Sequence, residues 1–256
     1  MKIIVAIKQV PARDSSLKVD VGGKWIQDSN LAFEINEPDA YALEEALRLK
    51  EKHGGEVIVL CLGPARAAQT IREALAKGAD RAIHIEEENL TGLGTLGMAQ
   101  LLSKAVAAEN ADLVLTGLQS DDLGNGQMGV VVAELLGWPH STIIMQVEST
   151  GAAIRVKREL EDGWFQVIDL PLPAVLGIQS GINKLRYATL MGIKKAKTKE
   201  LKRLVASELG VSSSTVGLID KIYLPEKTKQ TQLLEGPAKE VAAKLADKLK
   251  FEVRVL

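Results

Sequence analysis

Apolar positions in this chain come in short, evenly separated runs. Residues 2–7, 56–62, 81–85 and 112–116 are near-continuous apolar stretches, the length and unbroken character of strands buried on both faces. Longer segments with a helical period lie between them, over about 39–52, 65–77 and 93–108. In the first, Leu43, Ala46, Leu47 and Lys50 share a face and Glu44 stands four residues before Arg48, as a half-buried helix requires. It is preceded by Asn36-Glu37-Pro38-Asp39, the proline and acidic residues of a helix start. Strands alternating with helices predict a parallel sheet joined by right-handed crossovers and covered on both faces. The connection 8–38 holds Pro11, Gly22-Gly23 and Trp25; a short hairpin is expected at the glycines, and a connection that long is expected to be functional.

Beyond Gly137 the pattern changes. STIIMQVE, AIRVKREL, WFQVIDL and AVLGIQS are short β-type runs divided by turn residues and by Pro171 and Pro173, which predicts an antiparallel addition to the sheet edge. Gly181–Ile193 has no clear period and reads as an ordered loop; the basic run KKAKTKELKR after it reads as solvated surface. A last helix is expected over Pro237–Lys250, with Ala238, Val241, Ala242, Leu245 and Leu249 on one face. The predicted fold is therefore α/β: a Rossmann-like three-layer domain over 1–193 with a mostly parallel sheet, antiparallel strands at its edge, and a C-terminal arm over 194–256 that packs on a partner chain.

The stretch DLVLTGLQSDDLGNGQMGVVVAELLG, residues 112–137, organises the rest. A strand ends at Thr116-Gly117, a polar glycine-bearing loop follows, and a helix is expected from Gln127 to Leu136. At such a junction the helix N-terminus offers unpaired N–H groups and partial positive charge, and glycines let the backbone approach an anion. Gly117, Gly124 and Gly126 supply the freedom; Gln119, Ser120, Asn125 and Gln127 supply hydrogen-bonding groups. Asp121 and Asp122 either accept from a ribose hydroxyl or turn the loop and cap the helix. Two readings stand on residues alone, a nucleotide-phosphate site and a structural turn. The loop is neither a Walker A motif nor a G-x-G-x-x-G fingerprint.

Composition narrows the function. A net charge of −1 and an aromatic content of 4 % argue against a nucleic-acid or anionic-membrane binder. The single cysteine, Cys61, sits in an apolar run and reads as a buried thiol, so disulfides and cysteine-based metal sites are not expected. His53, His84 and His140 lack ligand spacing, and His84, between Ile83 and Ile85, reads as a structural histidine. No catalytic triad, acid–base pair or metal constellation is legible. No apolar run approaches the ~20 residues of a membrane span, and Met1 leads directly into KIIVAI. A cytoplasmic location without a leader peptide is the default expectation.

Several stretches together resemble the small (β) subunit of electron transfer flavoprotein: IIVAIKQVP, INEPDAYALEEALRLKEK, CLGPARAAQTIREALAKGADRAIHI, GLQSDDLGNGQMG, VKRELEDGWFQVIDLPLPAVLGIQSGINKLRYATLMGIKKAK and IYLPEK. They follow the family's order over nearly the whole chain, and the RELEDG to RYATL segment is the most distinctive.

The resemblance implies a chain that pairs with a larger α subunit, which holds most of the FAD contacts, while this subunit buries an AMP. Carried over residue by residue, the AMP site comprises Ala6, Asn36, Glu37, Pro38, Asp39, Leu62 and the loop Gly117–Met128, including Gln119, Ser120, Asp121, Asp122, Asn125, Gly126 and Gln127. Several relatives carry a hydroxyl residue where this chain has Met128, which puts more weight on Asn125, Gln127 and backbone N–H groups. GINKLRYATL resembles the family's recognition loop, whose exposed leucine, here Leu190, docks on flavin dehydrogenases; Arg186 and Tyr187 would fix its shape. Glu159 matches an acidic residue near the flavin-domain interface. The implied role is an electron carrier without catalytic residues of its own, delivering electrons to an acceptor such as a membrane quinone oxidoreductase. Two alternatives stay open: an electron-bifurcating member with a second FAD in place of AMP, and a free-standing adenine-nucleotide module like universal stress proteins.

Overall fold

The computed structural model describes residues 1–211, 219–226 and 231–255. In order, the elements are β1 (Lys2–Ile7), β2 (Gln9–Pro11), β3 (Phe33–Ile35), α1 (Glu37–His53), β4 (Glu56–Gly63), α2 (Ala67–Lys77), β5 (Arg81–Glu86), α3 (Gly94–Glu109), β6 (Leu113–Gly117), α4 (Met128–Leu136), β7 (His140–Ser149), β8 (Ala153–Glu159), β9 (Phe165–Pro171), β10 (Ala174–Ile178), α5 (Leu190–Ala196), β11 (Leu201–Val205) and α6 (Ala238–Asp247). Nine strands form one sheet in the order β11-β5-β4-β1-β6-β10-β7-β8-β9, and β2 pairs with β3 separately. From β11 to β7 every pairing is parallel, and β7–β8 and β8–β9 are antiparallel. This is the expected Rossmann-like three-layer arrangement.

The central strands read as unbroken apolar runs because both faces are covered. Ile3 and Val5 of β1 point into one core with Leu43 and Leu47 of α1 and Ile71 and Leu75 of α2. Ile4 points the other way, into a core with Leu101 and Val106 of α3 and Val132 of α4. α1 starts with proline and two acidic residues in its first turn and stops at Gly54, whose N–H donates to the Lys50 carbonyl at 2.8 Å. His84 and Cys61 face each other across β5 and β4, both buried; the His84 Nε2 pairs with the Gly63 carbonyl at 3.0 Å. A single antiparallel bridge, Val19 to Ile26, closes the short hairpin at the glycines.

Three expectations need correction. β10 is not part of the antiparallel edge: it runs parallel between β6 and β7. Its five residues are all buried, and the absence of any polar alternation in AVLGI is the mark of a central strand. Gly181–Ile193 is not loop throughout, because α5 begins at Leu190. Thr189 caps it, accepting from the Gly192 N–H at 3.0 Å. The basic run is not simply solvated: the Lys199 ammonium donates to the Ala79 carbonyl and, at 3.0 Å, to the Leu75 carbonyl at the end of α2. Burial and the nearby Lys50 and Lys195 charges lower its pKa, against the attraction of Asp80.

Contacts divide the chain into Met1–Lys221 and Ile222–Leu256. In the first unit, α5, which spans residue 193, packs on α2, and β11 extends the sheet beside β5. Leu201 and Leu204, half-buried at the sheet edge, are too few to show a period. In the second unit α6 runs on into a wider π-type turn over Lys248–Val253, with Leu245, Phe251, Val253 and Val255 exposed. Residues 212–218, 227–230 and 256 of the expected arm lie outside the described residues.

Candidate functional site

β1 is the middle strand of the seven that run parallel, and the chain winds outward from it to β4 on one side and β6 on the other. The connections leaving the carboxyl ends of β1 and β6 therefore go to opposite faces, α1 to one and α4 to the other. This is the topological switch point at which open α/β sheets bind ligands. An open cleft lies there. Of the site residues expected from the sequence, Ala6, Asn36, Asp39, Leu62, Gly117, Gln119, Ser120, Asn125, Gly126, Gln127 and Met128 line it. Glu37, Pro38, Asp121 and Asp122 do not. Glu37 pairs with Arg13, which also approaches Asp121 at 3.5 Å. Asp122 accepts from the Lys8 ammonium at 2.6 Å and from its neighbour Leu123 N–H at 2.8 Å, so it turns the loop rather than facing the cleft.

Two buried polar residues of the α1 start build the floor. The Asp39 carboxylate accepts from the Lys8 N–H at 2.7 Å and the Gly117 N–H at 3.0 Å, joining the ends of β1 and β6. Asn36 donates to the Gln119 carbonyl at 2.9 Å and accepts from the Asp121 N–H at 2.9 Å, as a neighbouring strand would, and so holds the glycine-bearing loop in place. Gly124 and Gly126 adopt φ of +63° and +62°, and the loop ends at α4, whose first turn has no side-chain cap. Unpaired N–H groups thus face the cleft. The Thr116 hydroxyl, buried against Gly129 of that first turn, has no partner. An anion-bearing ligand fits this donor set: uncapped helix amides, the Asn125 and Gln127 side chains and one cation, Lys8.

Sequence reasoning missed the opposite wall, formed by Leu90, Thr95, Met98 and Leu102. The physical signal was available, since a helix following a parallel strand begins over the carboxyl edge of the sheet. Met98 and Leu102, one turn apart on α3, line the cleft from that helix. Together with Leu62 they make an apolar slot suited to a flat ring.

Burial pushes the Asp39 carboxyl up to about 7, against the Lys8 and Gly117 N–H groups, the Asn36 amide and the Lys8 charge, which pull it down. The native state therefore holds a proton at pH values where an unfolded aspartate, near 3.8, has released it. The stability due to this proton is full below about pH 4 and is lost as pH rises through 7, at about 1.4 kcal/mol per pH unit for one proton. Wild type minus Asp39→Asn, compared by urea unfolding between pH 4.5 and 8, should show that slope. Parallel curves would remove Asp39 as the titrating group.

The expected docking residues lie elsewhere. Leu190 opens α5 and is 82 % exposed, and Tyr187 is 93 % exposed. Arg186 does not face solvent as a free charge: it grips Glu44 at 2.7 Å and Glu51 at 2.6 Å on α1. Partial burial works against ionisation of Glu44, but its bonds to Arg186 and Arg48 outweigh that and hold the carboxyl below its usual range. Glu159 ends β8, half-buried beside the opposite edge of the sheet. Among the described residues no cluster of three or more His, Cys, Asp or Glu is placed to hold a metal ion. No helix there is long and apolar enough to cross a membrane.

The electron transfer flavoprotein domain model matches residues 24–209. The chain is 36 % identical over 255 residues to the electron transfer flavoprotein subunit beta of Methylophilus methylotrophus, covering 96 % of both. It is 37 % identical to the human protein of that name over 232 residues, covering 89 % of this chain and 91 % of the relative. The chain belongs to the electron transfer flavoprotein β-subunit family. Its part in that family is electron carriage, in which the flavin supplies the redox chemistry and the protein supplies binding, orientation and access. The matched span includes the glycine-bearing loop, α5 and the cleft lining other than Ala6, Ile7 and Lys8.

Proposed function

We propose that this chain binds AMP in the switch-point cleft and pairs with an α subunit that holds most of the FAD contacts. The heterodimer accepts electrons from flavin dehydrogenases that dock on Leu190, and passes them to a downstream acceptor such as a membrane quinone oxidoreductase, in the cytoplasm. The observation that carries the nucleotide reading is the coincidence, in one cleft, of an apolar slot and an uncapped α4 N-terminus behind a glycine-bearing loop. The base would lie against Leu62, Leu90 and Met98, and the phosphate at the loop. The C-terminal arm is assigned to the α subunit, which would cover the exposed apolar side chains of α6 and its π-type extension.

The test is a nucleotide count. This chain is co-expressed with its candidate α subunit, the purified complex is denatured, and released AMP and FAD are quantified. One AMP and one FAD per heterodimer is the expected result. Two FAD and no AMP would replace the proposal with electron bifurcation; recovery without a flavin-bearing partner or AMP would overturn it.

A further inference from the structure

We infer that Lys8 is a phosphate ligand of the cleft and the source of its preference for a phosphorylated nucleoside. The inference rests on the nucleotide reading above and adds a residue that the family resemblance does not assign. Lys8 follows β1 directly, and it is the one cationic side chain among the residues lining the cleft. Its ammonium makes two hydrogen bonds. It donates to the Asp122 carboxylate at 2.6 Å and the Ser120 hydroxyl at 3.3 Å, both on the loop that leads to α4. An ammonium has three N–H donors, so one is left for a ligand. Its side chain is about one-third exposed, enough for a ligand oxygen to reach and little enough for the charge to count.

The two anchoring bonds make the third directional. A free lysine would follow solvent; this one is fixed to the loop that leads to the uncapped α4 N-terminus, so its charge is held on the same loop as those amides. Asp122 has a second consequence. It neutralises Lys8 in the absence of ligand, and so competes with a phosphate for it.

Opposite effects on one ratio follow, which no purely structural role reproduces. The AMP and adenosine affinities of the nucleotide-depleted heterodimer would be measured by calorimetry. Lys8→Met should lower the ratio of AMP to adenosine affinity at least tenfold while adenosine binding stays within about twofold, and Lys8→Arg should keep most of the preference. Asp122→Asn, which frees Lys8 from its competitor, should raise the ratio threefold or more. If Lys8 serves only to tie down the loop, Lys8→Met and Asp122→Asn would weaken both ligands in parallel, and the inference fails. Should Lys8→Met not fold, a ratio unchanged or lowered in Asp122→Asn decides against it by itself. Wild type binding neither ligand would overturn the nucleotide reading and this inference together, an outcome distinct from a variant-specific failure.

Discussion

Leu190→Ala is expected to lower kcat/KM for reduction of the heterodimer by its dehydrogenase about tenfold to thirtyfold, with FAD content and thermal stability unchanged. The side chain is 82 % exposed at the first position of α5, so its truncation opens no cavity and stability should move by less than about 0.5 kcal/mol. A leucine that fills a partner's pocket, however, is worth about 1.4–2 kcal/mol, and each 1.4 kcal/mol is tenfold. What makes such an anchor effective is that it is presented rigidly. Thr189 caps the helix, Gly192 packs so closely on α2 that a Cβ there would lie 2.3 Å from the Ala76 carbonyl, and Arg186 ties the preceding segment to Glu44 and Glu51. Arg48 completes the clamp, pairing with Glu44 at 2.9 Å and donating to the Lys184 carbonyl at 3.2 Å. Little entropy remains to be lost on docking. Unchanged reduction kinetics would remove Leu190 as the anchor; loss of flavin would show that it belongs to the subunit interface instead.

Much of this was readable from residues alone because the parallel part of the sheet imposes the strongest local signals. A strand buried on both faces must be apolar throughout, and the helices between must carry one apolar side, so β1, β4, β5, β6 and their helices announce themselves. The loop 117–127 was legible from a local succession, a short buried strand, a polar glycine-bearing loop and a helix, and not from strand order. The signals weakened where burial is one-sided or comes from distant sequence. β10 follows the antiparallel strands β8 and β9 along the chain and is set apart from them by lacking a polar alternate, a distinction carried by five residues. α5 is shorter than the window in which a helical period can be seen, and only its threonine cap marked the start. Lys8 and Asp122, 114 residues apart, meet because β1 and β6 are adjacent in the sheet. No spacing along the chain encodes that pair. The same holds for Arg186 with Glu44 and Glu51, whose charges looked like ordinary helix surface until the loop was folded back over α1.

Gly117→Ala should be the most damaging single methyl group in the cleft, costing about 3–5 kcal/mol. A Cβ built on Gly117 lies 2.3 Å from the Asp39 Oδ1, 2.7 Å from the Asp39 backbone nitrogen and 2.7 Å from the Pro38 Cβ. The backbone nitrogen and the proline ring belong to the first turn of α1 and cannot swing aside, so the end of β6 must move away from the helix. That movement strains packing, at about 1–3 kcal/mol. It also breaks the 3.0 Å bond from the Gly117 N–H to the buried Asp39 carboxyl, a further loss of about 1.5–3 kcal/mol. Because Gly117 also lines the cleft, the displaced loop should lose its nucleotide as well as its stability. Gly124→Ala is the proper control. It lies in the same loop with φ of +63°, but a Cβ there meets nothing within 4 Å, so only the left-handed backbone resists it, at about 1–2 kcal/mol. Thermal unfolding and AMP content of the two variants should therefore separate clearly, with Gly117→Ala the worse on both. Equal behaviour would mean that β6 and α1 do not approach so closely at the switch point, and that Asp39 does not join β1 to β6.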